Sequence, residues 1–530
     1  MLRIKTCLYG LRDSGRRWYL KFRAAIEKLL FTMVDNDPCM WVRDTLSKER
    51  GKRPNIKSNT YALLATWVDD SLILTSQAEF EKIVKELRDQ DIDIDKVAPA
   101  DKFVGVDIRV RTAREGPDGK DEIITDNIST LREYREGEEM TRPRIELIMR
   151  NPKGANAAEK EVLLTQTQYI VDTFVASGAE VKPCVDTPAP KGCVVDRRDM
   201  NKNPDKADID YFRKIYGKVL HIMRCSRPDT AYVVSELGRV AAAPSKAHIA
   251  VLKRVCQYLY NTRGLGLRFG GARVRQARNE RNRIKVRVTQ EFEPLVYADA
   301  SWACDPADRR SMSGYLILMN GAAIAWRSKR QSFAVGSTCE SEIMAMSSVV
   351  REVQQLTREL ADMGIHDGSE PPTVGLEDNE CCIAHCNDDN SHGRTKALDL
   401  RYAIARQAVQ RRILDVQKVR SAEQLADPMC KIPEKQTFFA MRDAMLGMSI
   451  NDVPEDARER RTGGPCRSHG CSCSPNLDNA EKRAAARAAA RATRRDQGAA
   501  SGAARRAVVS RLAARNSISV SRARWLPWWC

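Results

Sequence analysis

Short apolar runs that meet acidic residues constrain this chain more than any other feature. "LLATWVDDSLIL" (63–74) sets Asp69 and Asp70 between two β-forming stretches. "LVYADASW" (295–302) places Asp299 after an apolar run, and "VGLEDNECCIA" (374–384) places Asp378 at the end of another. Each pattern predicts a strand whose acidic end opens either to water or to a shared site. Adjacent carboxylates about 4 Å apart repel by roughly 4 kcal/mol at an effective dielectric near 20. A turn open to water offsets that repulsion, and so does a bound divalent cation.

Around these runs the pattern alternates. "RRWYLKFRAAIEKLLF" (16–31) and "AEFEKIVKELRDQ" (78–90) have helical spacing, and "DKFVGVDIRVR" (101–111) reads as a strand. Residues 112–160 are charged and poorly periodic, which predicts an insertion. Order is expected to resume at "EVLLTQTQYIVDTFVASGA" (161–179), a strand and then a helix. "VDTPAP" is extended, because its prolines block helix. "DYFRKIYGKVLHIMRCS" and "PSKAHIAVLKRVCQYLYNT" read as helices, the second N-capped by Ser245. "RVRQARNERNRIKVRV" (273–288) is basic without an apolar face, and residues 293–448 read as strands first and helices later. From Asn451 onward the chain is rich in Arg, Ala, Ser and Gly, with almost no core-forming residues, so no packed domain is expected there.

The chain has 530 residues, 42% of them hydrophobic, and a formal net charge of +18. That basic excess favours a polyanionic partner, nucleic acid above all, or sits in a solvated tail. No run approaches the 18 or so consecutive apolar residues of a membrane span, and the basic start lacks the apolar core of a signal peptide. The expectation is an intracellular protein, cytoplasmic or nuclear, whose 16 cysteines are reduced. Cys225, Cys256 and Cys339 lie in apolar runs, where cysteine acts as a small hydrophobe. "CRSHGCSC" could grip zinc, but no second pair follows at a standard spacing. "NECCIAHC", with Cys381, Cys382, His385 and Cys386, sits on an amphipathic pattern and reads as buried cysteines.

"CLYGLRDSGRRWY", "DPCMWV", "WVDDSLIL", "FVGVDI", "LLTQTQYI", "DTPAP" and "GKVLHIMRCSRPDTAYVVSELGR" occur in one order over residues 5–270. In that order they resemble the reverse transcriptase of copia-type LTR retrotransposons. The resemblance implies a polymerase palm in which Asp69 is a magnesium ligand and Asp70 its supporting neighbour. The family usually has tyrosine or phenylalanine where this chain has Trp67. It also carries another catalytic aspartate upstream of the "LYGL" block. This chain starts at that block, so the palm reads as truncated and the chain is not expected to polymerise DNA.

A second series lies in residues 293–448. "LVYADASW", "DRRSMSGYLILMNGAAIAWRSKRQ", "STCESEIMAMSSVV", "VGLEDNECCIA", "SHGRTKALDLRYAIARQAV" and "SAEQLADPMCK" resemble, again in order, the RNase H domain of the same elements. The resemblance implies metal-binding acids at Asp299, Glu342, Asp378 and Asp427, with a one-step ambiguity between Glu340 and Glu342. It implies two Mg²⁺ ions, with Mn²⁺ as a substitute, that activate water and stabilise the leaving oxygen of an RNA phosphodiester. Selection of the RNA strand rests on 2′-hydroxyl contacts and backbone geometry. The family's usual histidine in "TKHIDIRY" is Ala397 here, and Pro428 follows Asp427 directly, where it is expected to bend the helix end that carries this ligand. His385 and His392 read as ordinary polar histidines rather than catalysts.

The expected architecture is therefore mixed α/β. A reverse-transcriptase palm and connection spans 1–270, with the insertion at 112–160. A basic linker (271–292), an RNase H-like mixed-sheet domain (293–448) and a disordered basic tail (449–530) follow. The tail could bind nucleic-acid phosphates, serve as a nuclear targeting segment, or be downstream sequence without a selected role. Expected partners are RNA–DNA hybrid and template–primer, with association to a full-length Pol protein also open. The expected activity is cleavage of RNA in hybrids. The alternative is a catalytically silent nucleic-acid-binding remnant.

Overall fold

Side-chain alternation along one central strand organises the C-terminal half. In the computed structural model, described over residues 14–35, 37–49, 52–67, 70–90, 92, 94, 102–115, 121–126, 159–182, 185–193, 195–270, 292–387 and 400–448, the chain is mixed α/β with three sheets. Asp69, His392, Ala397, "CRSHGCSC", nearly all of the 271–292 segment and the 449–530 tail lie outside the described residues.

The first sheet runs β1 (Thr32–Met33), β2 (Met40–Asp44), β3 (Tyr61–Trp67) and β4 (Asp70–Thr75), all antiparallel. Helices α1 (Ser14–Lys28) and α3 (Gln77–Asp89) close a small core of Phe22, Ile26, Trp41, Leu64, Ile83 and Leu87; α2 (Thr45–Glu49) follows β2. In β3 and β4, Trp67 pairs with Asp70 and Leu63 with Leu74, so the two runs flanking the Asp-Asp pair form the expected hairpin.

The second sheet contains β5 (Lys102–Phe103), β6 (Val106–Glu115), β7 (Asp121–Asp126), β8 (Glu159–Thr165) and β9 (Leu267–Gly270). This corrects the expected boundaries of the insertion. β6 runs past residue 111 to Glu115, β7 pairs back on it, and β8 begins at Glu159. Backbone pairing carries these strands through a charged segment whose side-chain pattern gave no strand signal.

α4 (Thr167–Ser177), α5 (Lys206–Cys225), α6 (Ala231–Gly238) and α7 (Lys246–Asn261) follow as helices. α7 has the Ser245 cap, and the His248 Nδ1 accepts from the Ser245 backbone N–H to complete a capping box.

The third sheet has the order β12 (Ala322–Arg330), β11 (Met312–Met319), β10 (Leu295–Ser301), β13 (Thr373–Glu377), β14 (Leu414–Lys418). The first three strands are antiparallel; β10–β13 and β13–β14 are parallel. Strands and helices therefore interleave here, rather than strands preceding helices. Parallel neighbours need a crossover connection, usually a helix. α8 (Thr338–Asp362) supplies one, and α9 (Glu380–Asn387) with α10 (Leu400–Gln410) lies between β13 and β14.

Leu295 and Tyr297 of β10 enter one core and Val296, Ala298 and Ala300 the other. The second core is roofed by Ile343, Met346, Val350 and Val353 of α8. The first includes α11 (Asp427–Cys430), α12 (Lys435–Leu446) and the helices α4 to α7. It is continuous from Leu163 to Met448, so the apolar interior does not divide at the basic segment before β10. Ion pairs add to this join: Arg330 meets Glu236 at 2.5 Å, and Arg239 pairs with Asp305.

Candidate functional site

Gly314 determines how closely α11 can approach the centre of the third sheet. It pairs with Asp299 across β10 and β11. A Cβ at Gly314 would lie 2.4 Å from the Met429 Cβ and 2.7 Å from the Cys430 Sγ. Only glycine leaves room for α11 to lie against this strand pair. The Cys430 thiol then donates to the Asp299 carbonyl at 3.1 Å, and the Gln424 amide donates to the Ala298 carbonyl at 2.8 Å. These contacts bring Asp427, the first residue of α11, to Asp299. Pro428 sits in the first turn of this short helix, where its missing N–H leaves no bond unmade, so it starts the helix rather than bending it.

Asp299 is 3% exposed, and its Oδ2 has no hydrogen-bond partner among the described residues. Burial pushes its carboxyl up to about 7; Asp427 and Asp378 add to the rise, and Lys431 opposes it. Burial also raises Asp427, while the Lys431 ammonium, 2.7 Å from its Oδ1, and a hydrogen bond with Asp299 pull the other way.

Glu340 and Glu342 take different paths from the N-terminus of α8. Ser337 caps the helix by accepting from the Glu340 N–H, and Glu340 reaches back to accept from the Gly336 N–H at 2.9 Å. Glu342, two residues on, is turned inward. It is 7% exposed, it accepts from the backbone N–H of Ala300, and its Oε2 has no partner among the described residues. Burial, and then Asp299, Glu377 and Asp378, push it up to about 11.

Asp378 follows β13 directly and is half-buried. Its neighbour Glu377 is a member that the sequence reading missed. It is fully buried, and its Oε1 accepts from the N–H groups of Asp378 and Asn379, each at 3.1 Å. Its Oε2 has no partner among the described residues, and burial raises its carboxyl well above the usual range, with Asp299 and Asp378 contributing. The only signal in the sequence was the Glu377-Asp378 doublet at the end of an apolar run.

The structure thus gathers Asp299, Glu342, Asp378 and Asp427 with Glu377, from β10, α8, the end of β13 and α11. Asp70 stands apart, exposed at the start of β4 in the first sheet. An acid-only donor set with three orphaned buried oxygens is chemically suited to a hard divalent cation, which takes oxygen ligands. Among the described residues, no three His, Cys, Asp or Glu side chains already converge to metal-holding distance.

The cysteines depart from the all-reduced expectation. Cys339 and Cys381, 42 residues apart, are disulfide-bonded with Cα atoms 5.8 Å apart. Their positions at two helix starts bring them together, which the apolar run around Cys339 did not reveal. Cys382 and Cys386 are buried, as expected. No helix among the described residues is long and apolar enough to cross a membrane.

Fold and site define a mixed α/β protein with a buried carboxylate cluster at the end of a mixed sheet. Over most of its length the chain is similar to Pol polyproteins of copia-type LTR retrotransposons. It is 26% identical over 456 residues to the retrovirus-related Pol polyprotein from transposon TNT 1-94 of Nicotiana tabacum, covering 85% of this chain and 28% of that protein. It is 25% identical over 436 residues to the Pol polyprotein from transposon RE2 of Arabidopsis thaliana, covering 82% of this chain and 24% of that one. A shorter match, 36% over 141 residues, covers 27% of this chain and 87% of the secreted RxLR effector protein 161 of Plasmopara viticola. The chain spans about a quarter of the length of the two Pol polyproteins. No family model and no solved structure matches it.

Proposed function

We propose that residues 293–448 are an RNase H-like domain that cleaves the RNA strand of RNA–DNA hybrids with divalent cations, and that the region before them is reverse-transcriptase-related. The observation that carries this reading is the grouping of acids from four separate elements, of which Asp299, Glu342 and Glu377 are buried and each keep an oxygen without a donor among the described residues. Burying carboxylates against one another is unfavourable unless something pairs with them. The 3-2-1-4-5 strand order and the Pol relatives support the same reading.

Asp299, Glu342, Asp378 and Asp427 would hold the cations. Bound Mg²⁺ or Mn²⁺ would supply an activated water and stabilise the leaving 3′ oxygen. The chain's own residues prepare that site. Glu377 fixes the turn that carries Asp378 through two backbone N–H groups. The Ala300 N–H orients Glu342 beside the end of β10. Lys431 offsets charge on the Asp299–Asp427 pair. Without a cation, burial holds Glu342 and Asp299 toward their protonated forms, so cation binding would release protons. Asp69 and Asp70 would serve the reverse-transcriptase-related region, with template–primer as its ligand. The +18 net charge suits polyanionic partners for both regions.

The test is cleavage of a labelled RNA strand in an RNA–DNA hybrid by purified protein with Mg²⁺ or Mn²⁺, beside Asp378→Asn. Cutting by the parent and not by the variant is the expected result. Well-folded protein that retains hybrid in a salt-dependent way yet cuts with neither metal would leave a nucleic-acid-binding remnant instead.

A further inference from the structure

The Cys339–Cys381 bond joins the two helix starts that carry two of the clustered acids. Cys339 is the second residue of α8, and Glu342 lies one turn further along the same face. Cys381 is the second residue of α9, three residues after Asp378. The bond therefore fastens the α8 start, which carries Glu342, to the β13–α9 turn, which carries Asp378. Nothing in the metal-binding chemistry requires it. Its accessibility is uneven: Cys381 is exposed and Cys339 half-buried, whereas Cys382 and Cys386 next to it are enclosed.

We infer that Cys339 and Cys381 form a thiol–disulfide exchange site, open to a small dithiol, whose state sets how firmly Glu342 and Asp378 are held beside one another. The covalent link ties the two elements to each other directly, whatever the charge on the acids they carry. Reduction begins at the exposed sulfur. A dithiol thiolate attacks the Cys381 Sγ, the S–S bond breaks, and the Cys339 sulfur leaves as a thiolate that takes up a proton. The second thiol of the dithiol then attacks the mixed disulfide and releases Cys381 as a thiol. The reductant departs as a cyclic disulfide, having given up two electrons and two protons. The freed helix starts can then move apart.

The direct test compares oxidised protein, dithiol-reduced protein and Cys339→Ser/Cys381→Ser. Alkylation and peptide mass mapping without reductant should leave Cys339 and Cys381 unmodified; both labelled in non-reduced protein would overturn the proposal. Hydrogen exchange in the first turns of α8 and α9 should run roughly tenfold faster in the reduced and double-serine forms, because local opening is no longer tied. Equal rates in oxidised and reduced protein would also overturn it. The reduced protein serves as its own control should the double variant fold poorly.

The consequence for cations rests on the metal-site reading. Mn²⁺ affinity should fall about tenfold on reduction, the scale of losing an orienting partner of a ligand. The double-serine form should match the reduced protein and ignore dithiol. Exchange that changes without Mn²⁺ binding in any form would support the staple and defeat the metal reading. Mn²⁺ bound equally by all forms, with unchanged exchange, would defeat the staple and leave the metal reading standing.

Discussion

Asp44 in the first sheet and Asp299 in the third are buried to nearly the same degree, 4% and 3% exposed, yet their carboxyls shift in opposite directions. Burial pushes Asp44 up, but the Ser47, Thr60 and Ser58 side chains and the Asn55 N–H hold it below its ordinary value. The Ser58 and Thr60 hydroxyls donate to its Oδ1 at 2.8 and 2.7 Å. Asp299 has an unpartnered oxygen and acidic neighbours, and rises to about 7. Burial alone therefore does not distinguish a structural acid from a site acid. The difference lies in whether the surrounding chain supplies donors. A carboxylate with its donors in place ties a loop down. One without them stores unfavourable energy that a bound cation can release.

The sharpest way to break this contrast is activity. Asp299→Asn should lower hybrid cleavage by at least about a hundredfold, the upper end of the loss seen for outer-shell partners of metal ligands. Asp44→Asn should leave the cleavage rate of the folded protein unchanged. Comparable losses in both variants, measured at saturating Mg²⁺, would erase the distinction.

Stability should move in opposite directions. Asp44→Asn removes hydrogen bonds to a charged acceptor and should destabilise the protein by about 1.5–3 kcal/mol in denaturant titration. Asp299→Asn relieves an uncompensated acid and should raise the metal-free denaturation midpoint.

The smallest effect is in the pH profile of the metal-free protein. Asp299 gains its proton near 7 when folded and near 3.9 when unfolded. Between those values the native state holds more protons, so this group's stabilising contribution, complete below about 3.9, is lost as pH rises through about 7. Asp44 has the reverse sign: its contribution is present above the unfolded value and is lost as pH falls through its lowered folded value. Saturating Mg²⁺ should flatten the Asp299 component and leave that of Asp44. A profile that Mg²⁺ leaves unaltered would argue against cation binding at Asp299.

Much of the local structure was legible in the residues. Ser245 reads as a helix cap because its oxygen can accept from a first-turn N–H, and it does so. The runs before Asp299 and Asp378 read as strands from their apolar, β-forming content, and β10 and β13 occupy them. The Glu340–Glu342 ambiguity was not resolvable at that level. Two residues on a helix differ by about 200° in direction, so one carboxylate turns back to the cap while the other turns inward, and only the neighbouring strand shows which direction is inward.

Local pattern thus determined where strands and helices begin and which acids lie at their ends, because propensity, capping and alternation act over a few residues. Tertiary structure alone decided that Glu377 joins the cluster, that Gly314 lets α11 reach Asp299, and that one core runs from Leu163 to Met448. It also decided that Cys339 meets Cys381. Each of these depends on approach between segments far apart in the chain, and such approach is set by the packing of whole elements rather than by the residues beside each position.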